Sequence, residues 1–241
     1  MAQVTVTDIP PEATDLAAER MADVIAAGQR QGRPVHLSVA GGTTPRATYE
    51  RLATLIDDWE GVELWLADER MVPPDDPESN YRLLAETLLE RTEAVAHPVP
   101  TEGSAEEAAS AYAREIRQRV PAGPDGVPAF DLALLGIGED GHTASLFPHA
   151  PALDVRGEVC VAVHDAPKPP PDRVSLTLDV LRAARRLLML AVGDAKATAV
   201  AGVLSGPDPD VPASLLADEP LELIVDRAAA RELPVSVTGA T

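Results

Sequence analysis

The stretch from Phe130 to Pro148 constrains the fold of this chain most, because it joins a short apolar run to a glycine-rich loop. Residues 130–135 are almost unbroken apolar, which is typical of a strand covered on both faces of a parallel sheet. Gly136, Gly138 and Gly141 follow within six residues and allow the backbone to turn sharply against a ligand. Because open α/β sheets bind ligands at the carboxyl ends of their strands, this stretch predicts a site in the loop.

Strands and helices alternate along the rest of the sequence. Apolar strands are predicted at residues 4–7, 35–39, 62–67, 95–99, 159–163, 187–192 and 221–225, with helical spacing between most of them. This order favours an α/β fold, a three-layer sandwich with a mostly parallel central sheet that is a Rossmann-like variant. With 241 residues, 45% of them hydrophobic, the chain can bury a sizeable core, and we expect a single domain over residues 1–241.

Composition narrows the class of protein. The formal net charge of −19 argues against binding to nucleic acid or to an anionic membrane, both of which need basic surface. Cys160 is the only cysteine, so neither an intramolecular disulfide nor a cysteine-rich metal site is expected. No apolar run approaches the ~20 residues of a membrane helix, and the first ten residues lack the features of a signal peptide. We therefore expect a cytoplasmic protein, and a monomer.

The loop after the strand at 35–39 reads AGGTTP over residues 40–45 and precedes a predicted helix. Thr44 suits the N-cap and Pro45 the first helical position. Glycines before a helix expose backbone N–H groups, threonines add hydroxyl donors, and the helix dipole favours an anion. The loop is neither a Walker A sequence nor a GxGxxG fingerprint, and an ordinary strand-to-helix turn would use the same residues. Phosphate binding and a plain turn both stay open here.

Charged and titratable residues follow two other strands. Asp68, Glu69 and Arg70 end the strand at 62–67, where a ligand would bind, although a solvated turn with an Asp68–Arg70 pair would use the same residues. Glu69 is expected to face water or a partner side chain. His142 lies in the central loop two residues after Asp140, and a merely solvated histidine is the alternative.

Four spaced strings resemble the 6-phosphogluconolactonases, within the wider family of glucosamine-6-phosphate isomerases and deaminases. They are AGGTTPRATYE, LADERMVPP followed by SNYR, GIGEDGHTASLFP, and KPPPDRVSLTL followed by GDAKA. The resemblance covers nearly the whole chain. It implies hydrolysis of 6-phospho-D-glucono-1,5-lactone to 6-phosphogluconate in the oxidative pentose phosphate pathway, with no cofactor and no metal.

The resemblance also implies roles for individual residues. Neutral His142 would act as general base on the attacking water and then protonate the departing ring oxygen. Asp140 would orient His142 or the sugar hydroxyls. Asp68 would orient the sugar hydroxyls. Arg70 or N–H groups of 138–141 would stabilise the oxyanion. The residues implied in binding the phosphate are Gly41, Gly42, Thr43, Arg173 and Lys196, with Thr44 and Lys168 as further candidates.

The rarity and the positions of the two lysines suggest roles for them without the resemblance. Lys168 and Lys196 are the only lysines beside eighteen arginines. Lys196 falls in the first turn of a predicted helix, where a cation is unfavourable unless an anion binds there. For Lys168, a role in steering the proline-rich loop and a plain surface position both stay open.

Two other functions are weighed against the lactonase. An amino-sugar phosphate deaminase or isomerase on the same fold usually reads DGHIAFNEP, with a carboxylate beside the histidine, whereas this chain reads DGHTASLFP. That departure favours the lactonase. A non-catalytic phosphosugar-sensing domain would need a fused DNA-binding segment or a basic face, and this acidic sequence has neither.

Overall fold

The computed structural model describes residues 2–234, and these contain ten strands. They are β1 (Gln3–Thr7), β2 (Val35–Val39), β3 (Val62–Leu66), β4 (Asp68–Arg70), β5 (Val95–His97), β6 (Leu132–Gly136), β7 (Cys160–Val163), β8 (Arg173–Leu176), β9 (Leu187–Ala191) and β10 (Leu221–Asp226). Seven of them form a central sheet in the order β1-β10-β9-β6-β2-β3-β5. Every neighbouring pair in this sheet is parallel, so the sheet is more uniform than the mostly parallel one predicted.

Helices cover both sides of the central sheet and complete the predicted three layers. They are α1 (Pro10–Arg30), α2 (Thr43–Leu55), α3 (Asn80–Leu84), α4 (Ala105–Arg119), α5 (Leu178–Ala183) and α6 (Ala197–Leu204). A π-helical turn at Ala85–Leu89 extends α3, and short 3₁₀ turns occupy Pro151–Asp154, Asp194–Lys196 and Pro212–Leu216. Because both faces of the sheet are covered, all five residues of β2 are buried.

The sequence explains where these helices lie and begin. Helix α1 buries a stripe that includes Ala17, Met21 and Ile25, at the spacing of one helix face. Helix α4 starts with a capping box, in which Ser104 accepts from the backbone N–H of Glu107 and Glu107 accepts from that of Ser104. Within residues 2–234, no helix is both long and apolar enough to span a membrane.

Helix α2 begins two residues earlier than predicted. Gly42, with φ of 100°, is its N-cap, and Thr43 is its first helical residue. The prediction that Thr44 caps the helix is therefore wrong, and Pro45 lies at the third helical position rather than the first. A proline is tolerated there because the first N–H groups of a helix have no intrahelical acceptor.

A second, antiparallel sheet of three strands lies beyond the ends of the central sheet strands, in the order β4-β8-β7. From the sequence, residues 68–70 only end the strand at 62–67, with a solvated turn as the alternative. Instead these residues form β4, because they pair with a strand a hundred residues later in the chain. The register places Arg70 opposite Arg173 and Asp68 opposite Ser175, so residues from distant motifs meet here.

Candidate active site

A cleft of about 350 Å³ lies at the carboxyl ends of β2, β6 and β9. Strand β6 lies between the other two, and the strand order reverses between β2 and β6. Such a switch point is where open parallel sheets bind ligands. The cleft is lined by all the predicted site residues except Asp140, namely Gly41, Gly42, Thr43, Thr44, Asp68, Arg70, His142, Lys168, Arg173 and Lys196.

Asp140 lies behind the cleft wall and contacts His142. Its Oδ1 is 2.5 Å from Nδ1 of His142 and also accepts from the His142 backbone N–H at 3.3 Å. In the part of the chain that the structure describes, Nε2 of His142 has no hydrogen-bond partner. When the neutral ring carries its proton on Nδ1, Nε2 offers its lone pair to the cleft.

Gly138 makes this pair sterically possible. A Cβ at this position would collide with both Nδ1 of His142 and Oδ1 of Asp140. The loop is closed by two of its own hydrogen bonds, from the Gly138 N–H to the His142 carbonyl and from the Gly141 N–H to the Gly138 carbonyl. The prediction that N–H groups of 138–141 are oxyanion donors therefore does not hold for these two glycines, whose N–H groups are already used.

Burial and the neighbouring carboxylates shift the pKa of His142 in opposite directions. Burial lowers the pKa of His142 below its ordinary value, while Asp140 and Asp68 act to raise it. Burial acts to raise the pKa of Asp140, but the attraction of His142 and its hydrogen bonds outweigh burial, and the pKa of Asp140 is lowered. The pair therefore holds a neutral histidine beside an ionised carboxylate at neutral pH.

Asp68 also lines the cleft and is buried, with two polar neighbours. Its Oδ2 accepts from the Ser145 hydroxyl at 2.6 Å, and its Oδ1 accepts from the Asn80 side-chain amide at 3.2 Å. The same amide donates to the Asp68 carbonyl at 2.8 Å. Ser145 also accepts a long hydrogen bond of 3.5 Å from Arg173, so it links the carboxylate to the guanidinium.

Glu69 is buried, with 2% of its surface exposed, so of the two expectations for it, water or a partner side chain, the second is correct. It does contact a side chain, the Ser79 hydroxyl at 3.0 Å. Its other three hydrogen bonds come from the backbone N–H groups of Arg70, Asn80 and Tyr81, each at 2.8 Å. Burial raises the pKa of Glu69 despite these donors. Glu69 therefore fastens β4 to the first turn of α3.

The two arginines of the cleft retain unused donors. Arg173 is buried and donates to the carbonyls of Lys168 and Pro170, but it forms no ion pair with a carboxylate among residues 2–234. Burial lowers the pKa of Arg173. Arg70 donates to the Glu78 carbonyl, while its buried Nε has no partner in the described chain. Both guanidiniums are suited to an anionic ligand.

The two lysines approach the cleft from different segments. Lys196 ends the 3₁₀ turn that leads into α6, and Lys168 lies in the proline-rich loop before β8. Burial lowers the pKa of Lys196, Glu139 acts to raise it, and Lys168 lowers it further. Neither lysine forms an ion pair with a carboxylate in residues 2–234. The glycine-rich loop lies close by, and Gly41 must be a glycine because a Cβ would collide with the Asn80 side chain.

Sequence reasoning missed three residues that shape the cleft. Asn80 and Ser145 hold Asp68, and Phe147 packs against His142 with ring centroids 4.5 Å apart. All three lie within the four strings that resemble the family, but only the structure shows which residues they contact. In the sequence, the one signal that could have drawn attention to Asn80 was its position directly after Ser79, a residue type that favours helix caps.

The other four histidines lie away from the cleft. His36 and His97 are buried beside Trp65, His149 is exposed and pairs with Asp210, and His164 pairs with Glu106 and Asp172. In residues 2–234, no group of three or more His, Cys, Asp or Glu side chains is arranged to hold a metal ion.

Comparison with known proteins identifies relatives over nearly the whole chain. Residues 10–225 match the family model described as glucosamine-6-phosphate isomerases/6-phosphogluconolactonase. A 6-phosphogluconolactonase from Streptomyces coelicolor is 38% identical over 249 aligned positions, which cover 98% of this chain and 92% of the relative. A human 6-phosphogluconolactonase is 42% identical over 178, covering 71% of this chain and 68% of the relative.

A solved structure shows the same fold. The 6-phosphogluconolactonase from Trypanosoma brucei superposes with a TM-score of 0.87 at 28% identity, covering 97% of this chain and 99% of that one.

Proposed function

Because this chain belongs to the glucosamine-6-phosphate isomerase/6-phosphogluconolactonase family, we propose that it hydrolyses 6-phospho-D-glucono-1,5-lactone to 6-phospho-D-gluconate. This reaction belongs to the oxidative pentose phosphate pathway. The family name covers two chemistries, so the choice between them rests on the site. One arrangement carries it: a partly buried His142, whose pKa is lowered by burial, lines the same cleft as Arg173, Lys168 and Lys196. Among residues 2–234, none of these three cations pairs with a carboxylate.

His142 would act first as a general base. Its neutral ring removes a proton from water at Nε2 while the water oxygen attacks the lactone carbonyl carbon. Asp140, at Nδ1, fixes the tautomer that leaves Nε2 unprotonated and stabilises the imidazolium that forms. The carbonyl is already an electrophilic ester, so this step requires no Lewis acid and no cofactor.

The tetrahedral intermediate then collapses. The bond between the carbonyl carbon and the ring oxygen breaks, and the imidazolium returns its proton to that oxygen as the ring opens. The negative charge that develops on the carbonyl oxygen needs donors. Arg70 is the candidate that the packing supports, because its Nε lacks a partner while the Gly138 and Gly141 N–H groups are used within the loop.

The 6-phosphate would bind at the cationic side of the cleft. Arg173 is buried and pairs with no carboxylate in the described stretch 2–234, so a phosphate would supply the missing counter-charge. Lys196 adds a second cation beside the glycine-rich loop of Gly41, Gly42 and Thr43. Thr44 and Lys168 also line this side, and we assign them to the rim of the phosphate site.

Asp68 would bind sugar hydroxyls rather than act as a base. Its two carboxylate oxygens already accept hydrogen bonds from Ser145 and Asn80, which hold it in one orientation. In an amino-sugar phosphate deaminase or isomerase the corresponding Asp would remove a proton beside the carbonyl, with a second carboxylate next to the histidine. Here Phe147 stands where that string has its carboxylate, and its ring packs against His142, which favours the lactonase.

A direct comparison of two substrates tests this proposal. The purified protein is assayed for hydrolysis of 6-phosphogluconolactone, corrected for spontaneous opening, and for ammonia release from glucosamine 6-phosphate. We expect saturable lactone hydrolysis and no ammonia release. Ammonia release without lactone hydrolysis would assign the chain to the other branch of the family. Saturable binding of a phosphosugar with neither reaction would instead favour a sensing domain.

A further inference from the structure

Phe147 lies in the wall between two cavities. It lines the cleft of about 350 Å³ on one side and a second cavity of about 600 Å³ on the other. His142 lines only the first cavity and Asp140 only the second. The hydrogen-bonded pair therefore crosses the same wall that the phenyl ring fills. Phe147 is itself buried, with 4% of its surface exposed.

The phenyl ring contacts one residue proposed for catalysis and one proposed for phosphate binding. Its centroid lies 4.5 Å from that of the His142 ring at an interplanar angle of 45°. The guanidinium carbon of Arg173 lies 5.5 Å from the same centroid, which is cation–π distance. A tight turn returns the chain to this position, with the Leu146 N–H donating to the Thr143 carbonyl at 2.9 Å.

We propose that Phe147 is a positioning residue that excludes the water of the second cavity from the His142 ring and holds the Arg173 guanidinium in place. This inference rests on the proposed function, because it takes His142 as the base and Arg173 as a phosphate ligand. A smaller side chain would join the two cavities and let water reach both the ring and its bond to Asp140.

The charges that face His142 make the consequence measurable. Asp140 on its own loop and Asp68 on β4 favour the protonated ring, and Arg173 on β8 opposes it. With these charges unchanged, burial is what keeps the ring neutral at weakly acidic pH. Removing the phenyl ring should therefore move the acidic limb of the pH profile toward higher pH.

The test compares Phe147→Ala and Phe147→Leu with Phe147→Tyr, which keeps a ring of nearly the same size. In Phe147→Ala the acidic midpoint of kcat/KM for the phosphorylated lactone should rise by about 0.5 to 1 pH unit. KM should increase about two- to fivefold from the lost cation–π contact. Phe147→Leu should shift in the same direction by less, and Phe147→Tyr should stay near wild type.

Phe130 provides a matched control, because it is the only other phenylalanine in the chain and is fully buried outside the cleft. Phe130→Leu should lower the midpoint of thermal unfolding without moving the acidic limb. The ring signals of His142, followed by NMR against pH, give a readout that does not depend on activity. An unchanged His142 titration in both Phe147→Ala and Phe147→Leu would overturn the inference. Wild-type protein without lactonase activity would overturn the proposed function, and the titration would still test Phe147.

Discussion

Nδ1 of His142 lies 2.5 Å from Oδ1 of Asp140, and the two residues are separated in sequence only by Gly141. So close a pair forms within one loop because Gly141 adopts φ of 81° and Gly138 has no side chain to block the contact. The loop thereby holds base and carboxylate together, and the Ala213 N–H of a later 3₁₀ turn donates to the Gly141 carbonyl at 2.9 Å. Their cooperation in catalysis is a proposal that mutation can test.

Asp140→Asn should lower kcat on the order of 10²-fold, the lower end of the effect of one acid–base group. An asparagine can donate to Nδ1 and so stabilise the tautomer that carries the proton on Nε2, which cannot act as base. Initial rates with 6-phosphogluconolactone at pH 7.5 check this. The NMR titration of His142 in the same variant should show a lower pKa, since Asp140 acts to raise it. A wild-type kcat would show that the carboxylate does not orient the base.

The pH dependence follows from the direction of the His142 pKa. A general base works above its pKa, and burial lowers the pKa of His142 below the ordinary ~6.5. Activity should therefore stay constant from neutral pH down past ~6.5 and fall only below it. The measurement is kcat/KM against pH.

The phosphate of the substrate also titrates, with a second pKa near ~6. Unphosphorylated gluconolactone lacks that group, so its pH profile reports only the titration of groups on the enzyme. An acidic limb centred above pH ~7 on both lactones would contradict the burial of a neutral base.

Lys196→Ala should reduce kcat/KM for the phosphorylated lactone by on the order of 1.5–3 kcal/mol, the range for a hydrogen bond to a charged group. Unphosphorylated gluconolactone, which must already be a poor substrate, should barely be affected. The reason is that Lys196 reaches the cleft at the start of α6, where a bound anion relieves the unfavourable contact of a cation with the helix dipole.

Lys168→Ala serves as the comparison, because it removes the same charge from the same cleft but from the proline-rich loop. In Lys168→Ala, kcat/KM for the phosphorylated lactone should fall by less than in Lys196→Ala. Equal losses on both lactones in Lys196→Ala would show that Lys196 supports the fold or the chemistry and not the phosphate.

Exhaustive chelation should leave the activity intact. In the proposed reaction His142 activates the water and the cleft cations neutralise the phosphate, so no step depends on a bound ion. The rate is measured after dialysis against EDTA and again after adding back single divalent metals. Activity that disappears with EDTA and returns with one of these metals would require a different mechanism.

The sequence predicted the alternating strands and helices well because their apolar periods reflect burial in the central sheet. It also predicted that residues after several strands would meet, since parallel strands bring their carboxyl ends to one edge. It failed where distant pairing decides the structure. Residues 68–70 look like a charged turn, yet pairing with β8 makes them a strand and buries Glu69.

Side-chain partners within the site were equally beyond reach from the sequence. Ser145 and Asn80 hold Asp68 from segments 65 positions apart in the chain, and no local pattern indicates which carboxylate a buried serine or asparagine will contact. Thr44 illustrates a local failure. A threonine before a proline suits a helix cap, but Gly42 with its positive φ starts the helix earlier.

The most direct measurement of the central claim is the turnover of His142→Gln on 6-phosphogluconolactone, corrected for the spontaneous opening of the lactone. Glutamine retains a polar side chain of similar reach but cannot accept a proton at neutral pH, so a folded variant tests the chemistry and not the packing. We predict that kcat falls by roughly 10²–10⁴-fold while the midpoint of thermal unfolding stays close to wild type. A corrected kcat near that of the wild-type protein would contradict the assignment of His142 as the general base.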